Sequence, residues 1–475
     1  MGILKNIINM KKVLFNTFLC VALVGGMLTS CESEQSPMTD NTKLWPAFSY
    51  NAESGEEKYG YINSKGEWAI QPIYDVVGTF SNGVAPVAVY NESTDEYVYS
   101  YIDKNGNQKG SFAYAEHHYC GLAVASYDDE VYGYVDASAD FKISPMYEEV
   151  NYFSNDLAMY YDETADGVGF INKKGEVEIS AMKLAMYDGI GDFSEELARV
   201  RIDDKYGFIN KKAEQEIPLM YDYASKFSDG LAIYGMGSKY GFINKKGEVE
   251  IPAMKLAMYD GIGDFSEELA RVRIDDKYGF INKKAEQEIP LMYDYASKFS
   301  DGLAIYEMGS KCGFINKKGE MEIPAMYDDA YYFFEDGLAP VEMNDKWGFI
   351  NKKGDMKIQP MFDDAYSFCE GMALVEINDK IGFIDTKGDF IIPAIYDDVL
   401  YSEYFHNGLI AVCTETETSA TYSYINKKGE TIWSLTIKYG SDEETLSVRS
   451  KKNDSKKAFL DKKLTNHYMA GSLRK

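Results

Sequence analysis

Histidine is nearly absent, at four in 475 residues. So few imidazoles leave little material for zinc centres or for nucleophiles activated by an imidazole base. Cysteine is scarce too, at six. Beyond Cys20 and Cys31, the remaining Cys120, Cys312, Cys369 and Cys413 fall at four different phases of the pattern described below. A disulfide framework would repeat with that pattern, so mostly unpaired, buried thiols are expected. Basic residues are outnumbered, with 49 Lys and Arg against 76 Asp and Glu and a net charge of -27. Phosphate binding needs clustered Lys and Arg, so no nucleic-acid partner is expected. There is no G-x-S-x-G, no P-loop and no G-x-G-x-x-G after a strand. Neither a catalytic nucleophile nor a cofactor nor a metal is expected.

What is abundant points to β structure. The chain holds 39 Tyr and 40 Gly, and tyrosine favours strands. At 45% hydrophobic and 26% charged residues it is a folding body and not a disordered acidic tail. The segment G-F-I-N-K-K-G recurs with variation, starting at Gly60, Ser100, Gly133, Gly169, Gly207, Gly241, Gly279, Gly313, Gly348, Gly382 and Ser423. That makes about eleven units.

Each unit reads as three short strands. In the clearest copy, strand A is Trp347 to Asn351, with Trp347, Phe349 and Asn351 on one face and Gly348 on the other. A glycine there lets another backbone or an aromatic ring approach closely. Asn351 to Gly354 reads as a hairpin turn, with Gly354 as the left-handed residue. Ala213 and Ala285 hold that position in two copies, where a positive φ costs about 1 kcal/mol. Strand B is expected over Asp355 to Pro360 and strand C over Met372 to Ile377. Pro360 and seven equivalents share one phase, and proline is confined to strand edges, ends and bulges.

Trp347-Gly348 heads this copy, and the pattern resembles the bacterial WG (KWG) repeat family. Gly313 and Gly382 occupy the position of Gly348 behind Cys312 and Ile381, where the Trp is replaced. The resemblance covers residues 42–440 and implies a repeat fold without an agreed catalytic residue. Residues 169–240 and 241–312 differ at only three positions, Ser180/Pro252, Gly235/Glu307 and Tyr240/Cys312. An open array absorbs such a duplication more readily than a ring of fixed blade number. The expectation is therefore an all-β open twisted superhelix of three-stranded units, with a β-propeller-like arrangement as the alternative.

The ends carry an address. Met10-Lys11-Lys12 precedes an apolar run from Val13 to Leu28, the layout of a secretory signal over residues 1–30. The run ends Leu28-Thr29-Ser30-Cys31 and resembles a bacterial lipobox, in which the Cys is acylated. This implies a protein held to the membrane by a lipid anchor on Cys31, most readily in the outer membrane. Residues 31–41 read as a polar tether. The tail 441–475 turns basic, with nine Lys or Arg and two acids over 449–475.

Three features could carry chemistry. The pairs Asp328/Asp329, Asp363/Asp364 and Asp397/Asp398 suit two-carboxylate glycoside hydrolysis. They recur in phase, which fits a turn device better than a unique catalytic pair. They also lack the D-x-D-x-D-G spacing of a calcium loop. Glu116, His117, His118 and Cys120 form the one local group of metal-ligand types, but adjacent residues of a strand point to opposite faces. Tyrosines outside the repeat positions, among them Tyr160, Tyr161, Tyr331 and Tyr332, are candidates for a sugar-binding surface. The expected function is a non-enzymatic, membrane-anchored scaffold that binds a protein or a glycan. An envelope- or glycan-degrading enzyme is the alternative.

Overall fold

The computed structural model describes residues 43–154, 156–333, 336–400 and 402–439. The signal, the tether with Cys31, and the tail 441–475 lie outside the described residues. The described chain forms eleven antiparallel sheets, nine with four strands and two with three. All follow one plan. In the ninth sheet a two-residue lead strand, Asp329–Ala330, is followed in order by Leu338–Met343 (strand C), Lys346–Asn351 (strand A) and Met356–Phe362 (strand B). The three-strand expectation lacked the lead strand, which in most sheets has only two or three residues, too few to show a period of two. Strand C pairs with the strand A that follows it. The strand at the start of the chain, Leu44–Asn51, is therefore the strand C of the first sheet.

Gly348 and Pro360 are explained together. Trp347 pairs with Phe362 and Phe349 with Ile358, so Gln359, Pro360 and Met361 bulge opposite Gly348. A β-carbon on Gly348 would lie 2.5 Å from the Ile358 carbonyl and 2.7 Å from the Pro360 nitrogen. Glycine admits the bulged backbone, and proline suits a bulge because it has no N–H to leave unpaired. Gly313 and Gly382 face the same feature, with nearest atoms on Ile323 and Ala394. Strand B thus runs two residues beyond Pro360. The hairpin turn is as read: Gly354 has φ +77°, and the Asn351 side chain accepts from the N–H groups of Lys353 and Asp355. Ala213 and Ala285 adopt φ +57° and +59°.

Each sheet packs on the next through the same residues. The strand A aromatic meets a phenylalanine in the lead loop of the following sheet, as Phe208 does Phe227 and Phe349 does Phe368, both at 4.8 Å between centroids. Gly354 of one turn covers Ile323 of the preceding sheet. Where strand A carries tyrosine, its hydroxyl donates across the junction, Tyr61 to the Gly78 carbonyl at 2.6 Å and Tyr134 to the Asn151 carbonyl at 2.7 Å.

The same contacts join the last sheet to the first, and this corrects the open superhelix in favour of the propeller-like alternative. Trp45, Ala47 and Ile62 of the first sheet share one buried cluster with Leu409, Ala411 and Tyr424 of the eleventh. The Tyr424 hydroxyl donates to the Pro46 carbonyl at 2.7 Å, and Trp45 Nε1 donates to the His406 carbonyl at 2.9 Å. Gly66 of the first sheet lies against the Ile432 backbone of the eleventh, as Gly354 lies against Ile323. In the second sheet the Pro86 carbonyl takes the Gly78 N–H; its equivalent Pro46 takes Tyr424 instead. The duplicated block is thus accommodated inside a closed ring of eleven sheets.

Candidate functional site

The carboxylates come first. Asp363 sits between the ninth and tenth sheets, where its carboxylate accepts from the Lys346 ammonium on one side and from the Asn378 N–H on the other. Asp328 and Asp397 do the same with Lys311 and Asn344, and with Lys380 and Glu415. The lysine beside each of Asp328 and Asp363 holds its carboxyl below the usual range. These aspartates clip strand A to the next sheet. Their partners Asp329, Asp364 and Asp398 accept from the next N–H along the chain, which orders the lead strand. The six carboxylates therefore form repeated structural devices.

The histidines lie in a loop, not a strand. His118 stands where other sheets place the packing phenylalanine, its ring 5.0 Å from Tyr101 in an edge contact. His117 lies under Gly78, whose β-carbon would fall 2.5 Å from its ring. Among the described residues no group of three or more His, Cys, Asp or Glu is arranged to hold a metal ion. Burial holds the His117 imidazole down at about 4, against about 6.5 in an unfolded chain. The unfolded state then binds more protons between those values. Stability from this group is complete above pH 6.5 and is lost as pH falls toward 4. The stability gap between the parent and His117→Gln should therefore shrink on acidification by up to about 1.4 kcal/mol per pH unit. Urea unfolding at pH 7 and pH 5 checks this, and parallel curves would refute it.

The tyrosines divide by position. Those in the Y-D phase, such as Tyr221, Tyr293 and Tyr327, are core. Tyr160 is also buried, at 5% exposure, and is withdrawn from the surface candidates. Tyr331 stacks face to face on Trp347 at 5.0 Å, and Tyr332 is exposed. Cys312 is a buried free thiol whose pKa burial pushes up to about 12, which disfavours the reactive thiolate at neutral pH.

One feature was not read from the sequence. In the nine four-stranded sheets three residues stand side by side across the lead strand, strand C and strand A. In the sixth they are Tyr223, Gly235 and Tyr240, and in the seventh Gly261, Arg273 and Tyr278. In the ninth they are Asp329, Glu342 and Trp347, and in the tenth Asp364, Glu376 and Ile381. The flanking residues repeat; this row changes size and charge from sheet to sheet. In the ninth and tenth sheets it sets acid opposite acid, Asp329 against Glu342 and Asp364 against Glu376, and burial followed by neighbouring charge raises the pKa of Glu342. Like charges directly opposite across a strand pair are unfavourable for the fold. Finding the row needs the pairing register, which the sequence does not display.

The sheets, the bulge behind each strand A glycine and the repeat of both agree with a comparison at the level of families. The WG containing repeat matches at residues 59–91, 132–161, 169–206, 206–240, 240–278, 278–312, 313–347, 347–380 and 381–415. The chain belongs to the WG repeat family. Among curated proteins none matches it. Solved structures similar to this WG repeat chain include a eukaryotic initiation factor, at 12% identity and TM-score 0.37, covering 64% of this chain and 93% of that one. Another is Kluyveromyces lactis Hsv2, at 8% identity and TM-score 0.28, covering 53% and 98%. The extracellular domain of a putative hybrid two component system from B. thetaiotaomicron matches at 10% identity and TM-score 0.22, covering 78% and 59%. Likenesses of this size carry no argument about function.

Proposed function

We propose that this WG repeat protein is a non-enzymatic binding scaffold of the bacterial envelope, lipid-anchored at Cys31, that recognises a protein or glycan through the variable row. The observation that carries the reading is the contrast within each four-stranded sheet. Core and junction residues repeat, while the triplet from lead strand to strand A differs from one sheet to the next. A surface that varies on a constant frame is what recognition by repeats requires. The first aspartate of each pair is committed to an inter-sheet clip, which leaves the pairs poorly placed as acid and base.

Affinity capture from intact cells with the mature protein, run beside a glycan array, tests the binding role. Hydrolysis of a glycan, abolished by changing Asp363/Asp364 and not the equivalent pairs, would replace it with the enzyme. The anchor is tested by Cys31→Ser, which should move the protein from the detergent phase to the aqueous phase. Unchanged partitioning would sink the anchor.

A further inference from the structure

The junction between the sixth and seventh sheets holds a cleft of about 140 Å³. It is lined by Tyr223, Ile233, Tyr240, Ile262 and Asp264, with Gly261 and Gly263 leaving its far wall bare. This is below the roughly 300–1,000 Å³ of pockets that enclose drug-sized ligands. It is a place for one side chain or one small group.

The neighbouring junctions show what belongs there. Between the fifth and sixth sheets the Arg199 guanidinium lies 5.2 Å from the Tyr206 ring centre and donates to the Ala224 carbonyl at 2.7 Å. Between the seventh and eighth, Arg271 lies 5.1 Å from Tyr278 and 5.7 Å from Tyr295, and donates to the Ala296 carbonyl at 2.6 Å. The strand register equates Arg199 and Arg271 with Ile233, each opposite the strand A phenylalanine. It likewise equates Tyr206 and Tyr278 with Tyr240, and Ala224 and Ala296 with Ile262. The ring and the main-chain position recur at the sixth junction; the arginine does not. Gly261 also stands where Tyr295 stands in the eighth sheet.

A carboxylate is added. Asp264 lines the cleft, with Ser225 and Lys226 as its polar neighbours. The other acid, Asp260, is committed to Arg273 at 2.7 Å. Two of the three differences between the near-identical blocks fall on this spot. Gly235 and Tyr240 are cross-strand partners here, and their counterparts are Glu307 and Cys312.

We infer that this cleft is a receptor for a guanidinium group, taken from outside the chain in the place that Arg199 and Arg271 fill from within. The guest stacks on Tyr240, donates to the Ile262 carbonyl and pairs with Asp264. The inference rests on the scaffold reading and narrows its partner to one presenting an exposed arginine.

The test is a ligand-observed NMR titration of the mature protein with acetyl-Gly-Arg-Gly-amide. The lysine and citrulline counterparts, free arginine and a methyl glucoside are run alongside. The arginine peptide is expected to bind and the lysine and citrulline peptides not to; free arginine binding as well would identify a small guanidinium source. Asp264→Asn should weaken binding about tenfold. Ile233→Arg should abolish it while leaving the melting temperature near the parent's, because arginine is already housed at 199 and 271. Asp192→Asn, the twin of Asp264 in the first block, should change nothing. Equal binding of the citrulline or lysine peptide, preference for the glucoside, or indifference to Ile233→Arg would each overturn the site. A captured partner whose binding ignores Ile233→Arg would leave the scaffold standing and remove this inference; arginine-peptide binding without any captured partner would do the reverse.

Discussion

Deleting residues 241–312 is expected to open the ring and to make unfolding less cooperative than the parent's. The deletion removes the equivalent of two sheets and joins two nearly identical junction sequences, so the new local contacts are close to the old. What is lost lies elsewhere. Nine sheets with the present inter-sheet geometry do not bring the first back to the eleventh. Trp45, now 3% exposed, and Tyr424, at 6%, would enter water together with Ile62 and Leu409. Exposing four such side chains costs about 6 kcal/mol or more, comparable with the whole stability of an ordinary domain. Freed ends would then unravel ahead of the middle, as in linear arrays. Urea denaturation followed by far-UV dichroism and by tryptophan fluorescence reads both effects. A deletion variant that melts as sharply as the parent with Trp45 still buried would mean that the seam is not what holds the fold.

Gly348→Ala should destabilise the protein by about 3 kcal/mol, more than any single glycine replacement in a turn. The added carbon would meet the Ile358 carbonyl at 2.5 Å and the Pro360 nitrogen at 2.7 Å. Both are backbone atoms of a bulge held on either side by the Trp347 and Phe349 pairings, so neither can withdraw without breaking the ladder. Gly371→Ala is the control. Gly371 has φ +81° and nothing within 4 Å of the added carbon, so only its backbone conformation is strained, at about 1 kcal/mol. Equal losses in the two variants, measured by chemical denaturation, would remove the argument that the strand A glycine exists for close approach.

These two residues show how the sequence and the fold divide the work. Gly348 and Pro360 recur at one spacing, and the spacing alone said that a backbone approaches one and that the other sits off the ladder. That they answer each other across a bulge appears only once Trp347 is paired with Phe362. The Y-D aspartates were legible as a repeated turn device for the same reason, since periodicity is visible without coordinates. Tyr160 was misplaced because a partly regular sheet disguises its phase.

Local pattern determined the all-β class, about eleven units, the hairpin turns and their left-handed residues, because each rests on neighbours within a few positions. Closure was decided by tertiary structure alone. Whether the eleventh sheet reaches the first depends on small rotations summed over every junction, and no stretch of sequence encodes that sum. The same holds for the cleft at Tyr240. Ile233 becomes informative only when the register sets it beside Arg199 and Arg271, three residues that strand pairing brings to one position and the linear text keeps far apart.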